Sequence, residues 1–395
     1  MKPTAASFFC GIGGLDLGFE WAGCDVVWAS DISTIAGSSY PLNFGRPAIV
    51  EDILNLDIDA IPDTDIIIGG PPCQSFSLVG RRRPDDPRGR LVFRYLDIIA
   101  AKRPRAFVVE NVPGMASAMI DGKRLPIHLV RSFEDLGYHV TVMKLNAADY
   151  LVPQLRKRLF IVGALNTPIK VPDPVEFARS AYGIDVSQHD NGAGAALLDL
   201  GPPTAKRARA KYLSGGSAFS EIMRGSEDTV SLHERPRMSD TDQKLVSFIP
   251  PGGNYRDVPD EHSTPRIMRF KETGGRTSTY GRLHPDRPSF TVNTYFRRPN
   301  VGSNFHPVED RLITVREAMR LQSIPDRFEI ASGGAQDARN ALIGNAVPPL
   351  LAHAVAREVI AALLTSTATA AGAAQSALAQ LALPQRTRGV RECLP

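Results

Sequence analysis

The chain has 395 residues, 43% hydrophobic and 22% charged, with a formal net charge of +4, so it has room for two or three domains with full apolar cores. No apolar run approaches bilayer-spanning length, and no charged segment followed by a long apolar stretch opens the chain, so neither a membrane span nor a secretory leader is expected. Cys10, Cys24, Cys73 and Cys393 lie far apart, without a C-x-x-C pair or a Cys/His cluster; this argues against a disulfide framework or a metal site and fits a reducing cytoplasm.

A first strand is expected over Ala5–Phe9, running through Phe9-Cys10-Gly11-Ile12-Gly13-Gly14 into a helical pattern at Leu15–Trp21. Glycines at a strand-to-helix turn let a ligand approach the backbone and the helix N-terminal amides. The turn is not a dinucleotide fingerprint, because Asp16 stands where G-x-G-x-x-G would place its last glycine. A second strand, Asp25–Ala29, is followed by Asp31, a position suited to ribose hydroxyls. Asp52, before Ile53, reads either as a turn aspartate or as a further binding acid. Together these features describe an adenosine pocket without a pyrophosphate site.

The strand expected at Asp65–Ile68 leads into Gly69-Gly70-Pro71-Pro72-Cys73-Gln74-Ser75. A free cysteine is often a small buried hydrophobe, but this Gly, Pro and polar setting argues against burial and makes Cys73 a candidate nucleophile. Arg81, Arg82, Arg83, Arg88, Arg90 and Arg94 then crowd together with only Asp85 and Asp86 among them, reading as a solvated loop or as phosphate contacts. A helix is expected at Leu91–Ala101 and a strand at Ala106–Val109, ending in Glu110-Asn111-Val112. Glu110 is either a cap or an acid at the edge that also carries Cys73. After a helix at Pro126–Leu136 and a strand at Tyr138–Leu145, Gln154, Arg156 and Arg158 are spaced by two, leading into a strand at Leu159–Val162. In an extended chain they share one face, either solvated or forming a cradle for a carboxylate, carbonyl or phosphate.

This alternation predicts a doubly wound α/β sheet. It stops near Pro168, and the stretch to Arg311, rich in Gly, Pro, Ser, Arg and Asp, reads as a loop-rich second domain with short strands. Thr314 and Glu317 form a capping-box pattern for a helix to Leu321, and a last helix is expected from Pro349 to Leu364. The Ala-rich tail, 365–395, reads as frayed helix or disorder.

Taken together, the segments resemble the cytosine-5 DNA methyltransferases over nearly the whole chain. Phe9–Gly14 is similar to the first cofactor motif, and Gly70-Pro71-Pro72-Cys73-Gln74 to the Pro-Cys-Gln motif. Glu110-Asn111-Val112 is similar to the Glu-Asn-Val motif and Gln154–Arg158 to the Gln-x-Arg-x-Arg motif. Arg311–Asp326 and Gly344–Pro349 resemble the last two, all in family order. Leu342 departs from a frequent glutamine, and Ile32 from a frequent aromatic.

The resemblance implies a Rossmann-like S-adenosylmethionine-dependent methyltransferase sheet with a smaller target-recognition domain. The cofactor would be S-adenosyl-L-methionine, lined by Phe9, Gly11, Gly13, Gly14, Asp31, Ile32, Asp52, Ile53, Pro72, Leu91, Asn345 and Val347. Residues 1–165, completed by 341–364, would form the catalytic domain, and 166–340 the recognition domain with its hinge. Cys73 would add to C6 of a flipped cytosine, with Glu110, Arg156 and Arg158 completing the catalytic set. Gln74, Ser75, Arg81, Arg82, Arg83, Arg88 and Thr291 would contact double-stranded DNA. A monomeric bacterial cytoplasmic enzyme associated with the nucleoid is implied, with a cognate restriction endonuclease as a partner to look for. Three rivals compete with this reading. A tRNA cytosine-5 methyltransferase would carry a Cys-Phe-Thr element in the recognition region, where this chain has no cysteine. A catalytically inactive DNA-binding regulator is disfavoured by the intact Cys73, Glu110 and Arg158 set. A thiol hydrolase lacks a histidine in the sheet-edge motifs.

Overall fold

A computed structural model of the protein describes residues 2–72, 89–120, 123–205 and 208–364. Its centre is the sheet that the apolar runs predict. The strands are β1 (Thr4–Phe8), β2 (Asp25–Asp31), β3 (Ile49–Val50), β4 (Ile66–Gly69), β5 (Ala106–Asn111), β8 (His139–Asn146) and β10 (Lys157–Ala164), in the order β3-β2-β1-β4-β5-β10-β8. The order reverses between β1 and β4, and in open α/β sheets ligands collect at the carboxyl ends of the strands at such a switch point. Strand β10 alone runs antiparallel to its neighbours, β5 and β8. The reason is the connection: residues 147–156, between β8 and β10, form one short 3-10 turn and β9 (Gln154–Leu155), with no crossover helix to carry the chain back.

Side-chain alternation explains why the central strands read as continuous apolar runs. In β4, Ile66 and Ile68 enter one buried cluster and Ile67 the other; in β5, Ala106 and Val108 go one way, Phe107 and Val109 the other. On the first face lie α1 (Gly14–Trp21), α2 (Thr34–Phe44) and the last helix, α12 (Pro349–Leu364). Helix α1 approaches α12 backbone to backbone: a Cβ on Gly18 would sit 2.4 Å from Ala352 Cβ, and one on Gly14 2.2 Å from the Val347 carbonyl oxygen. The second face carries α3 (Gly89–Lys102) and α4 (Leu125–Asp135), with the small hairpin β6 (Met119–Ile120) and β7 (Lys123–Arg124).

Beyond Ala164 the strands are short, as expected: β11 (Ala210–Lys211), β12 (Thr229–Val230), β13 (Gly281–Arg282), β14 (Ser289–Phe290) and β15 (Ser303–Phe305). Helix is more abundant than expected, in α5 (Pro174–Tyr182), α6 (Ala193–Leu197), α7 (Ala218–Arg224), α8 (Asp240–Val246) and α9 (Pro265–Thr273). Their caps were available in the sequence. Asp173, Ser217, Ser239 and Thr264 each accept a bond from the amide three residues on. Residues of α5, α6 and α7 extend the core on the α12 side, whereas Leu245, Val246, Ile249, Tyr255, Ile267, Tyr280, Phe305 and Leu312 belong to a separate buried cluster. The predicted capping box forms at Thr314 and Glu317, opening α10 (Val315–Leu321), and α11 (Gln336–Asn345) precedes α12. Among the described residues no single helix is long and apolar enough to cross a membrane. The tail 365–395 lies outside the described residues.

Candidate active site

The switch point gathers the candidate residues. Glycine pairing in the sheet sets Gly69 opposite Val109, so the chain leaving β4 passes the end of β5 at Glu110. A Cβ on Gly70 would lie 3.0 Å from Glu110 Oε2. Asn111 Nδ2 donates to the Pro71 carbonyl at 2.8 Å and pins the Pro-Pro turn from the neighbouring strand. Pro72 is described; Cys73, Gln74, Ser75, Arg81, Arg82, Arg83 and Arg88 lie outside the described residues.

Glu110 is buried and pairs with Arg158, whose Nε stands 2.8 Å from Oε1. Burial pushes the Glu110 carboxyl above its ordinary range, although the charges of Arg158 and Arg156 pull it down. Burial likewise lowers Arg158 despite its partner. The arginine contact therefore does not keep this acid in the ordinary range; desolvation prevails. Arg158 Nη1 donates to the Lys157 carbonyl at 2.8 Å, and its Nη2 has no hydrogen bond among the described residues. A buried carboxyl shifted upward and a guanidinium whose Nη2 is unbonded among the described residues, on one edge, suit recognition of a neighbouring carbonyl and ring nitrogen.

The period-two spacing holds: Gln154, Arg156 and Arg158 are buried, while Leu155 and Lys157 are exposed. The cradle is filled by the chain itself rather than open to a ligand along its length. Arg156, fully buried, donates to the carbonyls of Val292 (3.1 Å), Gly344 (2.7 Å) and Ala346 (2.8 Å). Gln154 accepts from the Val292 amide at 3.0 Å and donates to the Leu321 carbonyl at 2.9 Å. These two side chains tie the segments near 292, 321 and 345 to β9. Strand β14 pairs with β9 in the same place, and Thr291 at its end is exposed, its hydroxyl donating to the Leu155 carbonyl at 2.8 Å.

At the end of β1, Phe9 and Gly11 take positive φ, and Gly13, at φ 85°, caps α1. Asp31, at the end of β2, accepts from the Gly11 amide at 2.9 Å and the Ser33 amide at 2.8 Å, and burial raises its carboxyl. Ile32 beside it is 65% exposed. The Gly14 contact with Val347 sets the last motif against this turn; Val347 is buried and Asn345 exposed. Asp52 is a turn aspartate here, accepting from the Leu54 amide at 3.0 Å; Ile53 is buried and Leu91 half-buried. Open space above Gly11, a carboxylate at the end of β2 and an exposed aliphatic side chain next to it fit an adenosine-bearing ligand.

One buried group escaped the sequence reading. Asp16 accepts from Ser7 Oγ at 2.7 Å and Tyr40 Oη at 2.6 Å, tying β1, α1 and α2 behind the glycine turn. Burial pushes its carboxyl up to about 6. Its only signal was an acid between Leu15 and Leu17, on a helix otherwise apolar on that side.

The geometry agrees with what comparison with known proteins shows. The profile of the family described as C-5 cytosine-specific DNA methylase matches residues 4–361. The type II methyltransferase M.NgoFVII of Neisseria gonorrhoeae is 35% identical over 354 residues, covering 88% of this chain and 84% of its own. The type II methyltransferase M.MthTI of Methanothermobacter thermautotrophicus is 35% identical over 370 residues, covering 91% and 97%. Among solved structures, that of the Entamoeba histolytica methyltransferase EhMeth superposes with a TM-score of 0.60 at 16% identity, covering 92% of this chain and all of its own, a likeness of fold. A switch-point site with a buried Glu110–Arg158 pair beside the Pro71-Pro72 segment, in a chain matched almost end to end, belongs to the C-5 cytosine-specific DNA methylase family: the protein is a DNA (cytosine-5) methyltransferase.

Proposed function

We propose that the protein transfers a methyl group to C5 of a cytosine turned out of a specific double-stranded DNA sequence, by way of a bond between Cys73 Sγ and C6. The observation that carries this reading is the buried Glu110–Arg158 pair, 2.8 Å apart, in register with the turn that leads to Cys73. C5 of cytosine is a weak nucleophile until a thiolate adds at C6 and converts the ring to an enamine. The arginine-rich segment 81–94 would favour the thiolate form of Cys73. Glu110, its carboxyl raised by burial, would hydrogen-bond N3 and accept from the exocyclic amine as the adduct forms. Arg158 holds Glu110 in place and offers its remaining nitrogen to O2, and Arg156 acts on both from behind as a positioning residue. S-adenosyl-L-methionine, when bound, supplies the methyl group; loss of the C5 proton to solvent or a nearby base then expels the Cys73 thiolate from C6 and restores the ring. Gly11, Gly13 and Gly14 would admit it to the backbone, Asp31 would hold its ribose, and Phe9, Ile32, Asp52, Ile53, Pro72, Leu91, Asn345 and Val347 would line the rest.

Reaching a stacked base costs a few kcal/mol, on the order of one lost base pair, which DNA contacts must offset. Gln74, Ser75, Arg81, Arg82, Arg83, Arg88 and Thr291 are proposed for these contacts, and the sequence read is assigned to residues 166–340. We assign the protein to the bacterial cytoplasm, bound to the nucleoid as a monomer, with a cognate endonuclease acting on the same site. The test is duplex DNA carrying 5-fluorocytosine at the methylated position. The wild type should form a complex with DNA that survives denaturation, and Cys73→Ala should form none and transfer no methyl group. Ordinary turnover by Cys73→Ala would overturn the reading.

A further inference from the structure

Arg94 belongs by sequence to the arginine-rich run that ends on α3, and that run reads as a solvated loop or as phosphate contacts. Its side chain is turned elsewhere. Arg94 stands one helical turn beyond Leu91, so the two share a face of α3. From that face Arg94 Nε donates to the Ile53 carbonyl at 3.2 Å, and Nη2 donates to the Leu56 carbonyl at 2.6 Å. The side chain is half-buried, so these charge-assisted bonds are partly shielded from water.

The segment it holds, residues 51–56, runs from the end of β3 past the adenosine side of the pocket. Its near end is fixed to β2, where the Glu51 amide donates to the Asp31 carbonyl at 3.2 Å. Its middle is a turn: the Asn55 amide donates to the Asp52 carbonyl at 2.9 Å and the Leu54 amide to Asp52 Oδ1 at 3.0 Å. At its far end the Ile53 and Leu56 side chains are buried in one cluster with Val92 and Tyr95 of α3, and their carbonyls go to Arg94. Backbone carbonyls beside a buried cluster need donors, and one planar guanidinium serves two of them at once. Asp31, Asp52, Ile53 and Leu91 are thereby joined in one circuit, from β2 through the turn to α3.

Ile53 and Leu91 come from separate elements, and a flat ligand packs against both only if their spacing is set before it arrives. Fixing a binding turn in advance removes the cost of ordering it on binding. We propose that Arg94 is a positioning residue for S-adenosyl-L-methionine: it locks turn 51–56 onto α3 and so sets the spacing of Ile53 and Leu91, without itself touching cofactor or DNA. This rests on the proposed cofactor pocket, but it is a separate claim about what holds that pocket in shape.

The test compares the full-length wild type with Arg94→Met, which keeps the stem and removes the donors, and with Arg94→Lys. Calorimetry with S-adenosylhomocysteine should show affinity weakened about tenfold by the Met variant, the worth of one charged hydrogen bond no longer holding the turn. The Lys variant should fall between, because one ammonium cannot reproduce the planar fork. In steady-state methylation the KM for S-adenosyl-L-methionine should rise by a similar factor, with kcat at saturating cofactor within about twofold of wild type. DNA binding measured without cofactor should keep the wild-type salt slope. Unchanged cofactor affinity in both variants would overturn the proposal. So would a salt slope reduced by about 0.9 with cofactor affinity intact, which would return Arg94 to the phosphate contacts. A lower melting midpoint and kcat at wild-type cofactor affinity would overturn it too, leaving a purely structural tie. If the Met variant does not fold, the Lys variant alone carries the comparison. A wild type that binds S-adenosylhomocysteine but leaves C5 of cytosine unmethylated would instead refute the proposed reaction, and calorimetry would still decide the role of Arg94.

Discussion

Replacing Arg156 by Met is the sharpest probe of how the site is assembled, because it keeps the aliphatic stem and removes every donor. In the structure those donors serve three carbonyl groups: Val292, Gly344 and Ala346. Leaving three buried acceptors unsatisfied costs about 1–3 kcal/mol each, or roughly 3–9 kcal/mol in all. Removing a fully buried guanidinium returns several kcal/mol of desolvation, on the order of half that sum. The expected net loss is about 2–4 kcal/mol. For 395 residues the unfolding entropy is about 0.8 kcal/mol/K, so the melting midpoint should fall by about 2–5 °C if the chain unfolds as one unit. Arg156→Lys should fall between the two, since an ammonium keeps the charge without the planar fork. The assay pairs thermal and urea unfolding with methylation measured at 15 °C, well below the midpoint. There the Met variant should retain activity to within about tenfold, because the groups that touch substrate are intact. An unaltered melting curve with activity reduced about a thousandfold or more would refute the clamp and make Arg156 a substrate contact.

Two further outcomes follow from buried groups elsewhere. Burial pulls both His306 and His353 down to about 4, against an ordinary 6.5. Between pH 6.5 and 4 the unfolded chain therefore takes up protons that the folded chain refuses, so stability falls with acidification by about 3 kcal/mol per histidine. Asp16 acts in the opposite sense: raised to about 6 from 3.8, it binds its proton first in the folded state and returns about 3 kcal/mol as the pH falls between those values. Urea midpoints from pH 7.5 to 4.5 should show a net acid loss that His306→Gln/His353→Gln flattens; a double variant with the wild-type profile would remove these histidines from the account. Gly18→Ala should cost about 1–3 kcal/mol, because its Cβ would meet Ala352 Cβ at 2.4 Å and the His353 amide nitrogen at 2.6 Å. A melting midpoint equal to wild type would show that α12 can shift away from α1 without loss.

Much of this protein is written locally. Strand β4 is three consecutive isoleucines, which only a strand covered on both faces accommodates, and its glycine and prolines mark the end at which chemistry collects. The spacing of Gln154, Arg156 and Arg158 set a common face, and Thr314 with Glu317 set a helix start, because strand period and capping are properties of neighbouring residues. The short helices of the region after Ala164 were also legible, in caps such as Asp173 and Ser239, but their shortness and low apolar content concealed them. What those side chains touch was decided elsewhere. Arg156 became a clamp only because residues 292, 344 and 346 arrive from far along the chain with unpaired carbonyls. The Glu110 proton balance depends on how much water the folded sheet edge excludes relative to the charge of Arg158, and neither quantity exists in an extended chain. Asp16 found Ser7 and Tyr40 on two other elements. Period, turn chemistry and capping need only a few consecutive residues, so the sequence carries them; desolvation and long-range pairing are properties of the packed chain, and only the tertiary structure determines them.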